Sequence, residues 1–543
     1  MGSEERKELE IRKEKIILKF NQIVKNKEKW ILFSLLAFTI LYKLYYFFKT
    51  LDQAIWWDEG DYLALAKELY FPMVERPEWW SHFAGMRPLL MPLIWGFMFF
   101  IKLGEPSIRF FTLLLPSILS VYLMYRIGKS LYSEKIGLMS AFMLSVYWVH
   151  NFYTFRILTD IPAMFFGLLS IYYFWVKYEK EKKNWGLYLS IIFAIIGFSA
   201  RFTTAFVLVS ILIYLLITRG SALFKDKVIW KGAGVGFLIF SPYLCYLIIN
   251  KFAMFKFYFT GDSQDHRNTL YALDALKDTL NILPTLMETI WFICLIVGLF
   301  SLYRLVIGFD LIIKRKEKSL NSDLFLFLQA FVLLSFFIFI LKGITDRWLL
   351  MLLVPLFIWA SKGILIISDF VKKYNQLIGV FTLIFLIFAG AYQQMDHGDK
   401  LIENKVSSYQ EEKLAGVWLK ENTLQGSKIL IASIVQNQYY SERQSYDLWN
   451  KDYSFPECYL ASKLIESEEC FIKTEGAFKE KIKTIDADYL VIHVFEPAFT
   501  PPWIYTYPQR YPEEMNVVKA YVDDNNNPKL IIYEFNKSSD LFQ

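Results

Sequence analysis

Apolar residues of this chain fall in runs separated by short polar segments, and each run has about the 20 residues that a helix needs to cross a bilayer. The apolar stretch 88–103 is shorter, and we interpret it as a juxtamembrane or re-entrant helix. The pattern predicts a polytopic α-helical membrane protein with about eleven transmembrane helices. The predicted spans are residues 30–49, 107–125, 136–153, 157–176, 186–200, 202–218, 232–250, 287–313, 324–342, 347–368 and 376–394.

Basic residues between the runs predict the orientation, because cytoplasmic loops are enriched in Lys and Arg. Assigning the basic segments to the cytoplasm places the N-terminus inside and the C-terminus outside, and it alternates without conflict across all spans. Counting 88–103 as a further span would move the later basic loops outside. The basic segments are the tail 1–29 and residues 126–135, 177–183, 219–231, 314–318 and 372–373.

The composition becomes polar after the last run, which indicates a separate domain. An amphipathic helical pattern over 411–420 precedes short runs rich in β-branched and aromatic residues, which predict a small α/β domain. Those runs are residues 428–432, 489–494, 517–522 and 530–535. We therefore predict a cytoplasmic tail 1–29, a membrane domain 30–394 with a first outer loop 50–106, and an extracytoplasmic domain 395–543. Whether Cys458 and Cys470 of that domain form a disulfide stays open.

Composition agrees with a membrane protein and argues against a nucleic-acid partner. Hydrophobic residues make up 55% of the chain and charged residues 21%, with a net charge of +6. The basic residues are distributed over short loops rather than gathered in one patch, so the excess positive charge is a topology signal. We therefore expect the chain to be embedded in a lipid bilayer, and we expect no nucleic acid to bind.

The stretch Trp56 to Tyr62 carries the first candidate site, because it places Asp58 and Glu59 directly after the first span. Ionisable residues beside a span indicate function. Neighbouring side chains on a helix point about 100° apart, so the two carboxylates are not expected to share one task. The alternative is that Asp58 caps a helix running from Glu59 to Tyr70. Both roles are compatible.

Further charged residues lie at predicted outer ends of spans. Asp160 and Arg156 share one turn, while Arg201 and Arg347 stand at two other outer ends. The planar donor fork of Arg suits phosphate, so this distribution predicts a phosphate held at the lipid boundary. The alternatives are helix capping by Asp160, its ion pair with Arg156, and independent anchoring of each Arg at the membrane surface.

Other site signals are weaker. His266, in the outer loop 251–286, is a candidate site residue, although a single loop His is more often idle. No pair of His or Cys residues has metal-ligand spacing, yet Asp58, Glu59 and Asp160 could recruit a divalent ion through oxygen atoms. Neither a Gly-rich phosphate loop nor a nucleophile elbow is found, which disfavours a nucleotide-sugar substrate.

The order of these motifs resembles the GT-C glycosyltransferases. The acidic pair is followed by a Pro-containing apolar stretch, by Arg109-Phe110 leading to Leu131, and by Arg156 with Thr159-Asp160-Ile161-Pro162. Within that superfamily the pattern is most similar to the dolichyl-phosphate-mannose-protein mannosyltransferases and the aminoarabinose transferases. The segment from Arg347 to Pro355 resembles their late Arg-aromatic helix start. The likeness covers about residues 30–390, and the tail resembles those of archaeal members more weakly.

This resemblance implies an inverting transfer of a sugar from a polyprenyl (dolichyl-type) phosphate to an acceptor hydroxyl on the outer membrane face. The acceptor could be a protein, a lipid or a glycan. By the same likeness Asp58 would be the base on the acceptor, Glu59 its supporting partner and Asp160 a second carboxylate of the site.

The resemblance also implies phosphate ligands. Arg347, with Arg156 and Arg201, would bind the lipid phosphate. Many relatives begin the juxtamembrane helix with His-Pro-Pro, whereas this chain has Met86-Arg87-Pro88. This chain therefore lacks that His, and Arg87 is a further candidate for the phosphate.

Chemistry agrees with this expectation independently of the likeness. A sugar phosphate has a good leaving group, so one base and cations to stabilise the departing phosphate suffice. A glycosidase would need two carboxylates facing each other across the bond. The competing class is a secondary transporter, which places charged sites near the bilayer midplane and is often built from inverted repeats. No repeat is visible in the sequence.

Overall fold

The computed structural model describes residues 27–70, 87–259, 272–308, 320–341, 344–448, 472, 474–497, 500–523, 525–539 and 541–542. Most of this chain is helical, and every predicted apolar run contains a helix. The helices in the first part of the chain are α1 Lys27–Lys49, α2 Trp57–Tyr70, α3 Leu90–Phe100, α4 Glu105–Leu131, α5 Glu134–Val146, α6 Trp148–Thr154, α7 Asp160–Tyr172, α8 Asn184–Ala200 and α9 Ala205–Arg219.

The next helices complete the apolar part. They are α10 Lys227–Phe259, α11 Ala272–Leu299, α12 Asn321–Ser335, α13 Leu353–Lys372 and α14 Gln376–Val406. Within the described residues, eight helical segments are long and apolar enough to cross a membrane. The stretch interpreted as juxtamembrane forms the 11-residue α3, which is shorter than a span. The polytopic helical fold is confirmed, while the count of about eleven spans and their orientation stay predictions.

Local sequence signals start several of these helices. The Ser133 hydroxyl accepts a hydrogen bond from the Ile136 N–H at the start of α5. The Asn375 side chain accepts from the N–H groups of Leu377 and Ile378 at the start of α14. Such caps satisfy backbone donors that the first helical turn leaves without partners.

Close packing of α11 against α13 depends on two glycines. A Cβ atom at Gly298 would overlap the carbonyl oxygen of Trp359, and one at Gly363 would overlap that of Cys294. Small residues allow helix backbones to approach closely inside a membrane. This contact holds α11 against the middle of α13, and Arg347 lies on the 3-10 turn Asp346–Leu352 that precedes α13.

The C-terminal part forms the predicted α/β domain. Its five-stranded sheet has the order β2-β1-β3-β5-β4, in which β1 pairs in parallel with β2 and β3, and β5 pairs antiparallel with β3 and β4. All four predicted strands are present, and β2 is an additional one. The elements are α15 Gln410–Asn422, β1 Lys428–Ile431, α16 Ile434–Ser441, β2 Gln444–Tyr446, α17 Glu475–Ile485, β3 Tyr489–His493, β4 Met515–Val522 and β5 Pro528–Phe535.

Two features tie this domain to the helical part. Helix α14 continues without interruption from the last apolar run to Val406, beyond the predicted end of that span at residue 394. Helix α16 packs directly on α2, with Val435 and Ala64 in one buried apolar cluster. The domain therefore rests on the helix that carries Asp58.

Candidate active site

Helix α2 begins with a contact between a side chain and the backbone. Trp56 precedes the helix, and its N–H donates to Glu59 Oε2 over 2.7 Å. A Glu three residues into the helix that reaches back in this way forms one half of a capping box. The capping role considered for Asp58 thus falls to Glu59, and the carboxylate of Asp58 is engaged elsewhere.

Asp58 lies between two guanidinium groups. Its Oδ1 accepts from Arg87 over 2.7 Å and its Oδ2 accepts from Arg347 over 2.7 Å, with 29% of its side chain exposed. Arg87 stands just before α3, and Arg347 stands on the 3-10 turn that leads into α13. The fold therefore brings three predicted site residues together from three separate parts of the chain.

The same recess contains Asp61 and Tyr62. Arg87 donates to Asp61 Oδ2 over 2.9 Å, and its guanidinium lies 5.0 Å from the centre of the Tyr62 ring. The Asp61 side chain is 1% exposed. One face of α2 therefore holds Arg87 by two carboxylates and an aromatic ring, which orients the guanidinium beside Asp58.

Opposing effects act on the ionisation of Asp58. Burial in the recess acts to raise its pKa, but the charges and hydrogen bonds of Arg87 and Arg347 outweigh burial and hold the pKa well below its ordinary value. Asp58 is consequently a carboxylate throughout the neutral pH range.

Asp160 and Arg201 form a second ion pair of the predicted set. The Arg201 nitrogen lies 3.0 Å from Asp160 Oδ2, and the Asp160 side chain is 1% exposed. Neither Asp160 oxygen receives a hydrogen bond of good geometry from the described residues. Tyr62 on α2 links the two pairs, because its hydroxyl lies 3.4 Å from the hydroxyl of Thr159, next to Asp160.

Asp346 and Tyr153 join the site without having been predicted. The Tyr153 hydroxyl lies 3.2 Å from both carboxylate oxygens of Asp346, and the Arg347 N–H donates to Asp346 Oδ1 over 2.7 Å. Asp346 thereby fixes the backbone at Arg347. The Thr345-Asp346-Arg347 sequence carried a signal for this, since an Asp at the start of a helical turn commonly accepts backbone N–H bonds.

Glu59 and Arg156 pair with each other away from this recess. Arg156 is 1% exposed, lies 3.4 Å from Glu59 Oε2 and donates to the carbonyl oxygens of Ala54 and Lys405 over 3.1 and 3.0 Å. Its guanidinium also stacks 3.9 Å from the Trp56 ring. Within the part of the chain that the structure describes, neither residue forms a hydrogen bond or ion pair with Asp58, so this pair braces the turn before α2.

Replacing Glu59 by Ala should destabilise the protein by about 3–5 kcal/mol, because the substitution leaves the buried Arg156 without its counter-charge. Denaturant or thermal unfolding in detergent would measure the loss. Asp52→Ala is the matched control, since Asp52 is 87% exposed and pairs with Lys413; its effect should stay below about 1 kcal/mol. Equal stability losses in the two variants would show that Glu59 is not a structural brace.

A polar cluster inside the helical part was not predicted. The fully buried Lys43 of α1 donates to Asn151 Oδ1 over 2.5 Å and lies 3.4 Å from His150 Nδ1. Asn151 also donates to the carbonyl oxygen of Ser145 over 3.2 Å, across the break between α5 and α6. The cluster connects the two ends of a broken helix, where freed backbone groups need partners.

The candidate His266 lies outside the described residues, as do Cys458 and Cys470, whose pairing the sequence left open. Among the residues that the structure does describe, no three His, Cys, Asp or Glu side chains are grouped so as to hold a metal ion.

One protein-family model matches part of the chain. Residues 86–246 match the family model described as dolichyl-phosphate-mannose-protein mannosyltransferase. The matched segment contains Arg87, Arg156, Asp160 and Arg201, and it precedes Arg347. No curated protein sequence matches the chain.

Solved structures share the fold at low sequence identity. The archaeal oligosaccharyltransferase AglB from Archaeoglobus fulgidus, in complex with an inhibitory peptide and a dolichol-phosphate, superposes with a TM-score of 0.55, 11% identity and coverage of 95% of this chain and 77% of that one. ArnT from Cupriavidus metallidurans, bound to undecaprenyl phosphate, gives a TM-score of 0.58 at 12% identity and covers 93% and 98% of the two chains.

A third structure extends this set. The arabinofuranosyltransferase AftD from Mycobacteria has a TM-score of 0.57 at 11% identity, with 92% of this chain and 40% of that chain covered. At these identities the likeness establishes the fold. The family segment and these structures together confirm the resemblance seen in the sequence: the chain is a membrane protein of the GT-C glycosyltransferase fold.

Proposed function

We propose that this protein is an inverting glycosyltransferase that moves a sugar from a polyprenyl phosphate to an acceptor hydroxyl on the outer membrane face. The observation that carries the proposal is the Asp58 carboxylate, held between Arg87 and Arg347 at 2.7 Å from each. A base beside two cations is what a displacement with a phosphate leaving group requires.

The reaction is a single displacement at the anomeric carbon. The acceptor oxygen forms the new bond to that carbon while its proton passes to a carboxylate oxygen of Asp58. The bond from the anomeric carbon to the phosphate oxygen breaks, and the phosphate leaves with the electron pair. Because the attacking and leaving oxygens lie on opposite sides of the sugar, the configuration inverts.

Arg347 and Arg87 would stabilise the charge on the leaving phosphate. Each presents planar donors that match phosphate oxygens, and each already contacts Asp58, so the phosphate ligands and the base belong to one recess. Arg201, paired with the buried Asp160, supplies a third cation near Thr159. In this assignment Glu59 and Arg156 support the site through the backbone rather than by contact with the phosphate.

The relatives' ligands support the choice of donor. The structures of similar fold were obtained with a dolichol-phosphate in one case and undecaprenyl phosphate in another. A lipid-linked donor also explains why Asp160, Arg201 and Arg347 lie at ends of apolar helices.

The ionisation of Asp58 gives a pH prediction. Because Arg87 and Arg347 hold its pKa below the ordinary Asp value, the base is already deprotonated at pH 5, and kcat/KM should show no acidic limb from Asp58 between about pH 5 and 8. The ion pairs stabilise the fold above the ordinary Asp pKa of about 4, and that contribution is lost as the pH falls below it. A rate profile measured from pH 5 to 9 checks this; an apparent pKa near 6 that disappears in Asp58 variants would contradict it.

Membranes containing the protein provide the direct functional assay. Given labelled polyprenyl-phosphate sugars, they should incorporate label covalently into protein, lipid or glycan, and membranes without the protein should not. Accumulation of intact label inside sealed vesicles, with no covalent product, would instead favour the secondary transporter. A cysteine-labelling scan that placed residues 58 and 160 on opposite faces would refute the common site.

A further inference from the structure

The contact between the C-terminal domain and α2 is closer than ordinary helix packing. A Cβ atom at Gly60 would overlap Cγ1 of Val435 on α16. Val435 is fully buried, and Gly60 is two residues from Asp58 along α2. A glycine at this position allows the two helices to touch where any side chain would separate them.

The backbone just before α2 is also held by α16. The buried Ile55 N–H donates to the Tyr440 hydroxyl over 2.9 Å. A buried backbone N–H is costly to leave unpaired, so this hydrogen bond anchors Ile55. Tyr440 therefore fixes the chain three residues ahead of Asp58.

Contacts continue at the far end of α2. Lys67 lies 3.3 Å from Glu442 Oε1 and 4.2 Å from the centre of the Tyr439 ring. The Tyr439 hydroxyl donates to Glu105 Oε1 over 3.0 Å, and Glu105 pairs with Arg109 at 3.5 Å. The domain thus touches α2 at its start, middle and end.

We infer that α16 of the C-terminal domain is a built-in part of the active site, and that Val435 and Tyr440 are positioning residues that set where α2 presents Asp58. This inference rests on the proposed function. It goes beyond that function because it gives the C-terminal domain a task in the reaction itself. Arg87 and Arg347 come from other parts of the chain, so a shift of α2 moves the base relative to the phosphate ligands.

A double-mutant cycle tests the inference. Gly60→Ala should lower kcat on the order of 10- to 100-fold while the donor KM changes less than about threefold, because a small misplacement of a reacting group is costly. Ala has a higher helix propensity than Gly, so the loss could not come from a weaker helix.

In the double variant, Val435→Ala should remove the overlap with the new Cβ and so reverse the loss of kcat that Gly60→Ala causes. Without Cγ1, the nearest atoms to the new Cβ are Val435 Cβ and Ile55 Cδ1, both at 3.5 Å, which is ordinary contact. We expect kcat of the double variant within about threefold of Val435→Ala alone. A double variant as slow as Gly60→Ala, or a Gly60→Ala variant with full kcat, would overturn the inference.

Phe478→Leu is the control for simple destabilisation. Phe478 is fully buried in the same domain and packs against Trp503 and Tyr507 rather than α2. At an equal loss of Tm, Phe478→Leu should retain kcat and Tyr440→Phe should lower it. Equal kcat values in these two variants would show that the interface contributes stability alone.

Hydrogen–deuterium exchange separates this inference from the proposed function. Peptides covering residues 53–66 should exchange faster in Gly60→Ala and Tyr440→Phe than in wild type, and Phe478→Leu should leave them protected. Unchanged exchange in all variants would overturn the positioning role even if sugar transfer is found. If these two variants exchange faster but the wild-type protein transfers no sugar, the contact between α16 and α2 is established and the glycosyltransferase assignment is refuted.

Discussion

Asp58→Asn should lower kcat by about 10²–10⁴-fold, because Asn has the shape of Asp but does not accept a proton at neutral pH. Affinity for polyprenyl phosphate should be unchanged or higher, since the substitution removes a negative charge from between Arg87 and Arg347. Steady-state transfer kinetics and binding of the free polyprenyl phosphate would measure the two effects separately.

Asp61→Asn is the matched control for Asp58→Asn. Asp61 lies on the same helix and also accepts a hydrogen bond from Arg87, at 2.9 Å, but its side chain is 1% exposed against 29% for Asp58, so an acceptor has less access to it. Its kcat should fall less than about tenfold, the range of a perturbed neighbour rather than a lost base. A wild-type rate in Asp58→Asn, or equal losses in both variants, would remove Asp58 as the base.

Arg347→Gln should raise the donor KM and lower kcat by about 10²–10³-fold, because the leaving phosphate loses a charged donor that acts most strongly in the transition state. Arg347→Lys should recover part of the rate, since Lys keeps the charge but not the bidentate geometry. Kinetics over a range of donor concentrations would separate binding from catalysis.

Arg510→Gln is the control for Arg347→Gln. Arg510 is an exposed cation of the C-terminal domain that pairs with Glu475. Its substitution should leave both kinetic constants unchanged. A defect in Arg347→Gln confined to the acceptor KM would contradict a role at the phosphate.

Periodicity predicted the architecture well because both helix spans and strands leave regular apolar patterns. Each predicted run contains a helix, and the four predicted strands are present. Strand β2 was missed because its three residues, Gln444 to Tyr446, are too short to show alternation. The predicted span ended at residue 394 for a different reason. Helix α14 continues to Val406 as a polar sequence, which carries no apolar run.

The sequence indicated candidate charged residues, several of which the fold brings together, but it did not indicate which of them pair. The argument that neighbouring carboxylates point apart agrees with Asp58 facing Arg87 and Glu59 facing Arg156. That Arg156 pairs with Glu59 is set by the packing of residues about a hundred positions apart, which spacing along one chain does not encode. Lys43 was overlooked because it stands inside an apolar run, where its polar partners come from another helix.

Purified protein in nanodiscs tests the central claim most directly, using a labelled short-chain polyprenyl-phosphate sugar, a membrane extract as the source of acceptor, and a nucleotide sugar as the competing donor. We predict that polyprenyl phosphate is released in an amount equal to the sugar transferred, with inverted anomeric configuration, and that the nucleotide sugar is not consumed. Consumption of the nucleotide sugar, retention of configuration, or no release of polyprenyl phosphate would contradict the account.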